Sequence, residues 1–239
     1  MRTLISFTIF SGIKIFTRIF YKTEVQWLSN IKTWKKIRYI VFLNHTSLYE
    51  PLYLGVLPWS FIWRISRKLV GPGADKTLDR PIVGFFWKLM GPGIISITRK
   101  RDKSWTRFME AIHNKSVIVI AAEGRMKRTD GLDLSGRPMT VRSGVADILE
   151  QLNEGNMIIA YSGGLHHIQR PGQHFPKLFK TLKLNLEVLD ILDYKSQFNT
   201  EGIQWKRDVV KDMQKRLEQN CPVADNTPII KASNFNNPE

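Results

Sequence analysis

The stretch Asn44-His45-Thr46-Ser47-Leu48-Tyr49-Glu50-Pro51 sets a histidine and a carboxylate with four residues between them, directly after the apolar run Tyr39-Ile40-Val41-Phe42-Leu43. Imidazole is neutral near pH 7 and can take a proton from a hydroxyl group. A carboxylate within reach fixes the imidazole tautomer and stabilises the imidazolium that forms, as in a serine-protease triad. Where the acceptor brings its own hydroxyl, the protein needs no serine or cysteine nucleophile. His45 and Glu50 are therefore the candidate base and its partner.

The elements around the pair are readable from pattern. Residues 39–43 form an apolar run of buried-strand type. Residues 48–57 read mostly as a helix start, with Pro51 in the first turn. The pair thus falls where a strand hands over to a helix. Downstream, residues 60–65 are a strand candidate. Gly71-Pro72-Gly73 reads as a chain break. Residues 82–90 read as a short apolar helix, and a second Gly-Pro-Gly leads to a strand over 94–99. Helices are expected over 104–114, 143–153 and 202–219, and strands over 117–122, 157–161 and 184–189. Alternating strands and helices predict an α/β domain over residues 39–220, with a mixed, largely parallel sheet flanked by helices. In such sheets ligands gather at the carboxyl ends of the strands. Residues 221–239 are polar and read as a flexible tail.

Two further clusters lie at predicted strand ends. Arg99 is followed by Lys100, Arg101 and Lys103, and Arg125 by Lys127 and Arg128. Guanidinium forks suit phosphate oxygens, and Gly124 allows close backbone approach to a ligand. Arg99, Glu123, Gly124 and Arg125 are accordingly candidates for an acceptor or phosphate site. Glu123 would either orient the arginines or form a structural ion pair. His166-His167 lacks further ligands at zinc spacing, so no metal site is assigned. His113 and His174 read as surface residues, and no nucleotide-binding glycine loop or nucleophile elbow occurs.

The charge balance is strongly basic, with 36 Lys and Arg against 21 Asp and Glu for a net charge of +15. Such a surface seeks polyanions. The single cysteine, Cys221, rules out an internal disulfide. Over residues 4–20, Ile5, Ile9, Ile13, Phe16 and Phe20 recur at helical spacing, with Ser11, Lys14 and Arg18 on the opposite face. This run is short and interrupted for a bilayer span, and no small-residue cleavage site follows it. A second segment over 23–38 repeats the spacing with Trp27, Leu28, Ile31, Trp34 and Ile37. One reading is that both helices cover the core. The other, which the pairing of tryptophan with basic residues favours, is an amphipathic helix pair over residues 1–38, anchoring the protein in a membrane interface with its lysines toward anionic lipid phosphates. The basic flanks favour the cytoplasmic face. A nucleic-acid-binding role would account for the charge but not for the His/Glu pair, so no nucleic-acid partner is expected.

Taken in order, Asn44-His45-x-x-x-x-Glu50-Pro51, Pro81-Ile82-Val83-Gly84, Gly93-Ile94-Ile95-Ser96-Ile97-Thr98-Arg99, Glu123-Gly124-Arg125 and Arg142-Ser143-Gly144 resemble the glycerolipid acyltransferases, typified by 1-acylglycerol-3-phosphate acyltransferase. The resemblance spans roughly residues 39–165, and the N-terminal segment is also like that family's membrane anchor. It implies transfer of a fatty acyl group from acyl-CoA or acyl carrier protein, as co-substrate thioester, to a lysolipid hydroxyl, with no bound cofactor. His45 would be the base, Glu50 its carboxylate, and Arg99 the arginine associated with the acceptor phosphate. Glu123 and Gly124 would match the family's Glu-Gly-Thr-Arg block. The chain departs from the pattern in four places. Glu50 stands where Asp is usual, Ala121-Ala122 where Phe-Pro is usual, and Met126 in the second arginine slot. The strand around Ile158-Ile159-Ala160 lacks the expected proline. The acceptor is thus a lysophospholipid such as 1-acylglycerol-3-phosphate, or another lipid such as a lyso-aminolipid or glycolipid.

Overall fold

The computed structural model describes residues 1–91, 93–98, 102–170, 173 and 175–223, with only the backbone of 82, 83, 86 and 90. The chain opens with helix α1 (Arg2–Phe20), followed by strands β1 (Lys22–Trp27) and β2 (Ile37–Leu43). A short 3₁₀ helix, Glu50–Val56, leads into α2 (Trp59–Lys68) and β3 (Leu69–Ala74). Then come α3 (Asp75–Leu78), α4 (Pro81–Met90), β4 (Ile94–Ile97), α5 (Lys103–Glu110), β5 (Val117–Ala121), α6 (Gly144–Gln151) and β6 (Asn156–Ser162). Strand β7 (Thr181–Asp190), α7 (Ile191–Ser196) and α8 (Gly202–Asn220) complete the described chain.

Seven strands form one sheet in the order β1-β7-β6-β2-β5-β3-β4. Every neighbouring pair is parallel except β6 with β7. The mixed, largely parallel α/β sheet expected from the alternation is present. Successive side chains of a strand point to opposite faces, and both faces are covered. Tyr39, Val41, Leu43, Met157, Ile159 and Tyr161 pack with α5, α6 and α8. Ile37, Ile158, Ala160 and the alternating Leu182, Leu184, Leu186 and Val188 pack with α1, the 3₁₀ helix and α2. Burial on both faces explains why β2, β5 and β6 read as continuous apolar runs.

Four expectations are corrected. Residues 60–65 lie in helix α2, whose buried Phe61, Ile62 and Ile65 form one helical stripe. Gly71-Pro72-Gly73 does not break the chain but lies inside β3. There Gly71 N–H donates to Gly93 O (3.1 Å) on the β4 side, so alternation turns Pro72 toward β5, which pairs only with Leu69 and Val70. A proline lacks the N–H but meets no ladder at that point. The third correction concerns the helix pair. Residues 23–38 are not a second helix: β1 pairs in register with β7 from Lys22↔Thr181 to Trp27↔Leu186, and a loop leads on to β2. β-branched Thr23 and Val25 suit the strand, and the sheet therefore crosses the boundary expected at residue 38.

The fourth correction concerns the orientation of α1. Its buried residues are Ser6, Phe10, Lys14 and Thr17, whereas Leu4, Ile15, Phe16 and Ile19 are exposed. Lys14 faces the protein interior rather than the outside. By length and composition alone this helix could cross a membrane, although part of it is buried against the domain.

Candidate active site

The site is built on the carboxyl ends of three adjacent central strands, β6, β2 and β5. Leaving β2, the chain turns at Asn44, which adopts φ +66°. Asparagine tolerates this left-handed conformation better than other side-chain-bearing residues. Its amide braces the turn on both sides. Nδ2 donates to Ser162 O (2.9 Å) at the end of β6, and Oδ1 accepts from Lys127 Nζ (3.3 Å) beyond β5. Thr46 Oγ1 accepts from Leu165 N (2.8 Å), and Ser47 Oγ donates to Gln169 Oε1 (2.5 Å). The turn is thus pinned to the loop that follows β6.

Glu50 opens the 3₁₀ helix, and its carboxylate folds back over the turn. Oε1 accepts from the backbone N–H of Thr46 (2.8 Å) and Ser47 (3.4 Å). Oε2 accepts from His45 Nδ1. The same group also fixes a histidine tautomer. Nδ1 carries the proton toward Glu50, and Nε2 keeps its lone pair. Burial opposes the charged imidazolium, but Glu50's charge and hydrogen bond, with Glu123's charge, outweigh it and raise the His45 pKa above its ordinary value.

Glu123 approaches from behind. It lies just past β5, 1% exposed, and Oε1 accepts from Asn44 N (2.6 Å) and His45 N (3.3 Å). It clamps the backbone of the turn that carries His45. Burial holds its carboxyl pKa above the usual carboxylate range, partly countered by His45 and by backbone hydrogen bonds. Gly124 takes φ +66°, the freedom glycine supplies at the point where the chain leaves Glu123. Arg125 turns to the buried Asp133 and forms an ion pair with it. Arg99, with Lys100 and Arg101, and likewise His174, lie outside the described residues.

Sequence reading placed Asn44, Thr46 and Ser47 in the motif stretch and Lys127 in a basic cluster without seeing that they brace the turn, and it did not single out Gln169. Lys127 N–H donates to His45 O (2.7 Å), and its carbonyl accepts from His166 Nε2 (2.7 Å). The cation is thereby held beside the turn. The Gly163-Gly164 pair at a strand end was an available signal: a Cβ on Gly164, where φ is +82°, would stand 3.4 Å from Asn44 Nδ2. His166 and His167 serve different carbonyls, that of Lys127 and that of Thr181. Among the described residues no three metal-ligating side chains converge.

The arrangement can therefore accept a proton at one nitrogen of an oriented imidazole, with a cation nearby. A family model described as Acyltransferase matches residues 22–164. The chain belongs to the acyltransferase family. The matched region includes every described residue of the dyad and its clamp, so this acyltransferase carries its candidate chemistry inside the family domain. Among solved structures, the 1-acyl-sn-glycerophosphate (LPA) acyltransferase PlsC from Thermotoga maritima has a similar fold, with TM-score 0.54 and 17% sequence identity over 90% of this chain and 81% of that one. No curated protein sequence matches the chain.

Proposed function

We propose that this acyltransferase moves a fatty acyl group from an acyl thioester, acyl-CoA or acyl carrier protein, to the hydroxyl of a lysophospholipid such as 1-acylglycerol-3-phosphate. The observation that carries the reading is the double grip of Glu50 on His45 Nδ1 and on the Thr46 N–H. In this mechanism His45 Nε2 takes the acceptor hydroxyl proton as the oxygen attacks the thioester carbonyl. The tetrahedral intermediate collapses and the C–S bond breaks. The proton on His45 passes to the leaving thiolate, which restores the neutral base. Glu50 and Glu123 stabilise the imidazolium between these steps. A base positioned in this way typically contributes ~10²–10⁴-fold. Lys127 is the described cation best suited to an anionic headgroup, and Arg99 would add a second.

The outward apolar residues of α1, with the exposed Trp59 and Trp63 of α2, support monotopic seating on a lipid surface, and the net charge of +15 favours an anionic, cytoplasmic leaflet. A second acceptor class is favoured by one feature: Met126 fills the family's second arginine slot while Arg125 is held by Asp133. A lyso-aminolipid or glycolipid is the alternative.

The test is acyl transfer by purified protein in detergent, with both thioester donors and a panel of lysolipids, beside His45→Ala. Transfer to 1-acylglycerol-3-phosphate that disappears in the variant is the expected result. A folded variant that keeps its activity overturns the dyad, and transfer confined to another lysolipid replaces the acceptor.

A further inference from the structure

Lys14 sits on the helix with the apolar outer face, yet it is 1% exposed. Its ammonium donates to the carbonyls of Gly55 (3.0 Å) and Leu57 (2.5 Å), and lies 5.2 Å from the centre of the Trp59 ring. Burying an ammonium is costly unless its protons are satisfied. Here they are spent on the last carbonyls of the 3₁₀ helix, which have no acceptor role within that helix. The contact is close elsewhere too. A Cβ on Gly55 would meet Thr17 Cγ2 at 2.6 Å, so α1 lies directly on the backbone of the 3₁₀ helix. The other end of that helix is Glu50. At about 2 Å per residue the seven-residue element is a short rod, gripped by Lys14 at its C-terminal end and presenting the Glu50 carboxylate at its N-terminal end.

We propose that Lys14 is a positioning residue, one that transmits the seating of the N-terminal helix through the 3₁₀ helix to the Glu50 carboxylate on His45. The proposal rests on the His45–Glu50 reading above. Displacing α1 from the domain lets the rod shift and loosens Glu50 from the imidazole, which couples attachment at a lipid surface to competence of the base. The charged groups facing His45 are Glu50 from the 3₁₀ helix and Glu123 from behind β5, with Lys127 on the neighbouring turn. Glu50 is the one that moves with α1.

The test uses the whole chain in micelles, two separate disrupting variants and Lys14→Arg as the conservative control. Lys14→Met keeps the bulk and removes the donors; Gly55→Ala pushes α1 away through Thr17 without altering the Lys14, His45 or Glu50 side chains chemically. The titration of the His45 imidazole is followed by proton NMR, assigned by the signal missing in His45→Ala, so the readout does not depend on turnover. Both variants are expected to fold and to co-sediment with anionic phosphatidylglycerol vesicles as wild type does. In both, the His45 pKa falls toward the ordinary histidine value. In an active preparation kcat falls about tenfold or more with acceptor KM unchanged, as expected when a base loses its partner. Lys14→Arg restores both readings. A wild-type His45 pKa in either folded variant overturns the proposal, and so does loss of folding in both, which would make the contact a folding element alone. If Lys14→Met alone does not fold, Gly55→Ala decides. Absence of acyl transfer by the wild type would sink the proposed function while leaving the NMR result intact.

Discussion

Substituting Glu50 by Gln changes one atom, and the structure says which way the new amide will face. The Oε1 position receives two backbone N–H groups, from Thr46 at 2.8 Å and Ser47 at 3.4 Å. An amide oxygen satisfies them; an amide NH₂ in that place leaves both donors unpaired, at roughly 1–3 kcal/mol each. The glutamine oxygen is therefore held there, and its NH₂ is turned toward His45 Nδ1. An NH₂ group can only donate, so Nδ1 must become the acceptor and the imidazole proton moves to Nε2. That is the tautomer unable to accept a proton from substrate. Glu50→Gln thus removes the charge and also inverts the base, and kcat is expected to fall by the full contribution of a positioned base, on the order of 10²–10⁴-fold. Glu50→Asp keeps the charge and the acceptor-only chemistry on a shorter arm, and should retain more activity. The assay is thiol release from acyl-CoA, or from acyl carrier protein if that is the donor, at saturating acceptor across pH. His45 must be neutral to act, and its pKa is raised, so wild-type activity is lost as pH falls through a value above the ordinary histidine range. Residual Gln activity should lose that limb at lower pH. A folded Glu50→Gln enzyme within about threefold of wild-type kcat, with the wild-type limb, would refute a base whose tautomer Glu50 sets.

Glu123→Gln should separate stability from catalysis. Burial raises the Glu123 pKa, so the folded state holds this proton more tightly than the unfolded state. Stability therefore declines as pH rises from the unfolded value through the raised folded one. Above that window the charge is a standing cost, and the variant's melting temperature at pH 8 should equal or exceed wild type, while the acid limb of activity moves to lower pH as His45 loses a negative neighbour. A clear fall in melting temperature would show that the charge is compensated. Gly84→Ala tests the packing of the Pro-x-x-Gly block, because the new Cβ would stand 1.9 Å from Leu78 O. The obstacle is backbone, so a loss at or beyond the upper end of the overpacking range, about 3 kcal/mol, is expected. Gly12→Ala, with nothing within 4 Å, should instead stabilise α1 by roughly 1 kcal/mol; denaturant melts of the two variants check both.

The central strands were legible because burial on both faces leaves only one kind of residue in them. Val117-Ile118-Val119-Ile120-Ala121 contains nothing polar to confuse the period. Edges were not legible in the same way. Strand β1 is exposed over Lys22 to Gln26, so no burial pattern marks it, and the chance spacing of Trp27, Ile31 and Trp34 suggested a helix instead. Residues 60–65 failed for the opposite reason, since a short apolar run has no decisive period. In the site, the local partners His45 and Glu50 could be read from spacing. Glu123 is far away in sequence, and which way its carboxylate points depends on where β5 lies beside β2, information carried by strand pairing and not by the Glu-Gly-Arg residues themselves. Arg125 shows the same limit, since its partner Asp133 becomes visible only once the loop folds back.

Helix α1 carries the most instructive reversal. The usual rule turns a helix's apolar stripe inward because water is the alternative environment. Here Ser6, Lys14 and Thr17 are turned inward with Phe10, beside Phe7, Ile9, Ile13 and Phe20, which pack against the core, and Leu4, Ile15, Phe16 and Ile19 are left outside. Such an arrangement is unfavourable in water twice over, because it exposes apolar surface and buries polar groups that then need partners. Lys14 finds carbonyls, and Ser6 Oγ donates to Arg2 O (3.2 Å). On the outer face Phe16 packs on Phe20 and Tyr21, while Leu4, Ile15 and Ile19 stay exposed. The exposure is accounted for if lipid is its solvent, since hydrocarbon removes that cost while Lys14 and the apolar contacts of Phe7, Ile9, Phe10 and Ile13 keep the helix attached to the domain. On the proposed reading the two faces of this helix would have separate tasks: the outer one would choose the environment, and the inner one, through Lys14 and Thr17 against Gly55, would set where the candidate base sits relative to it.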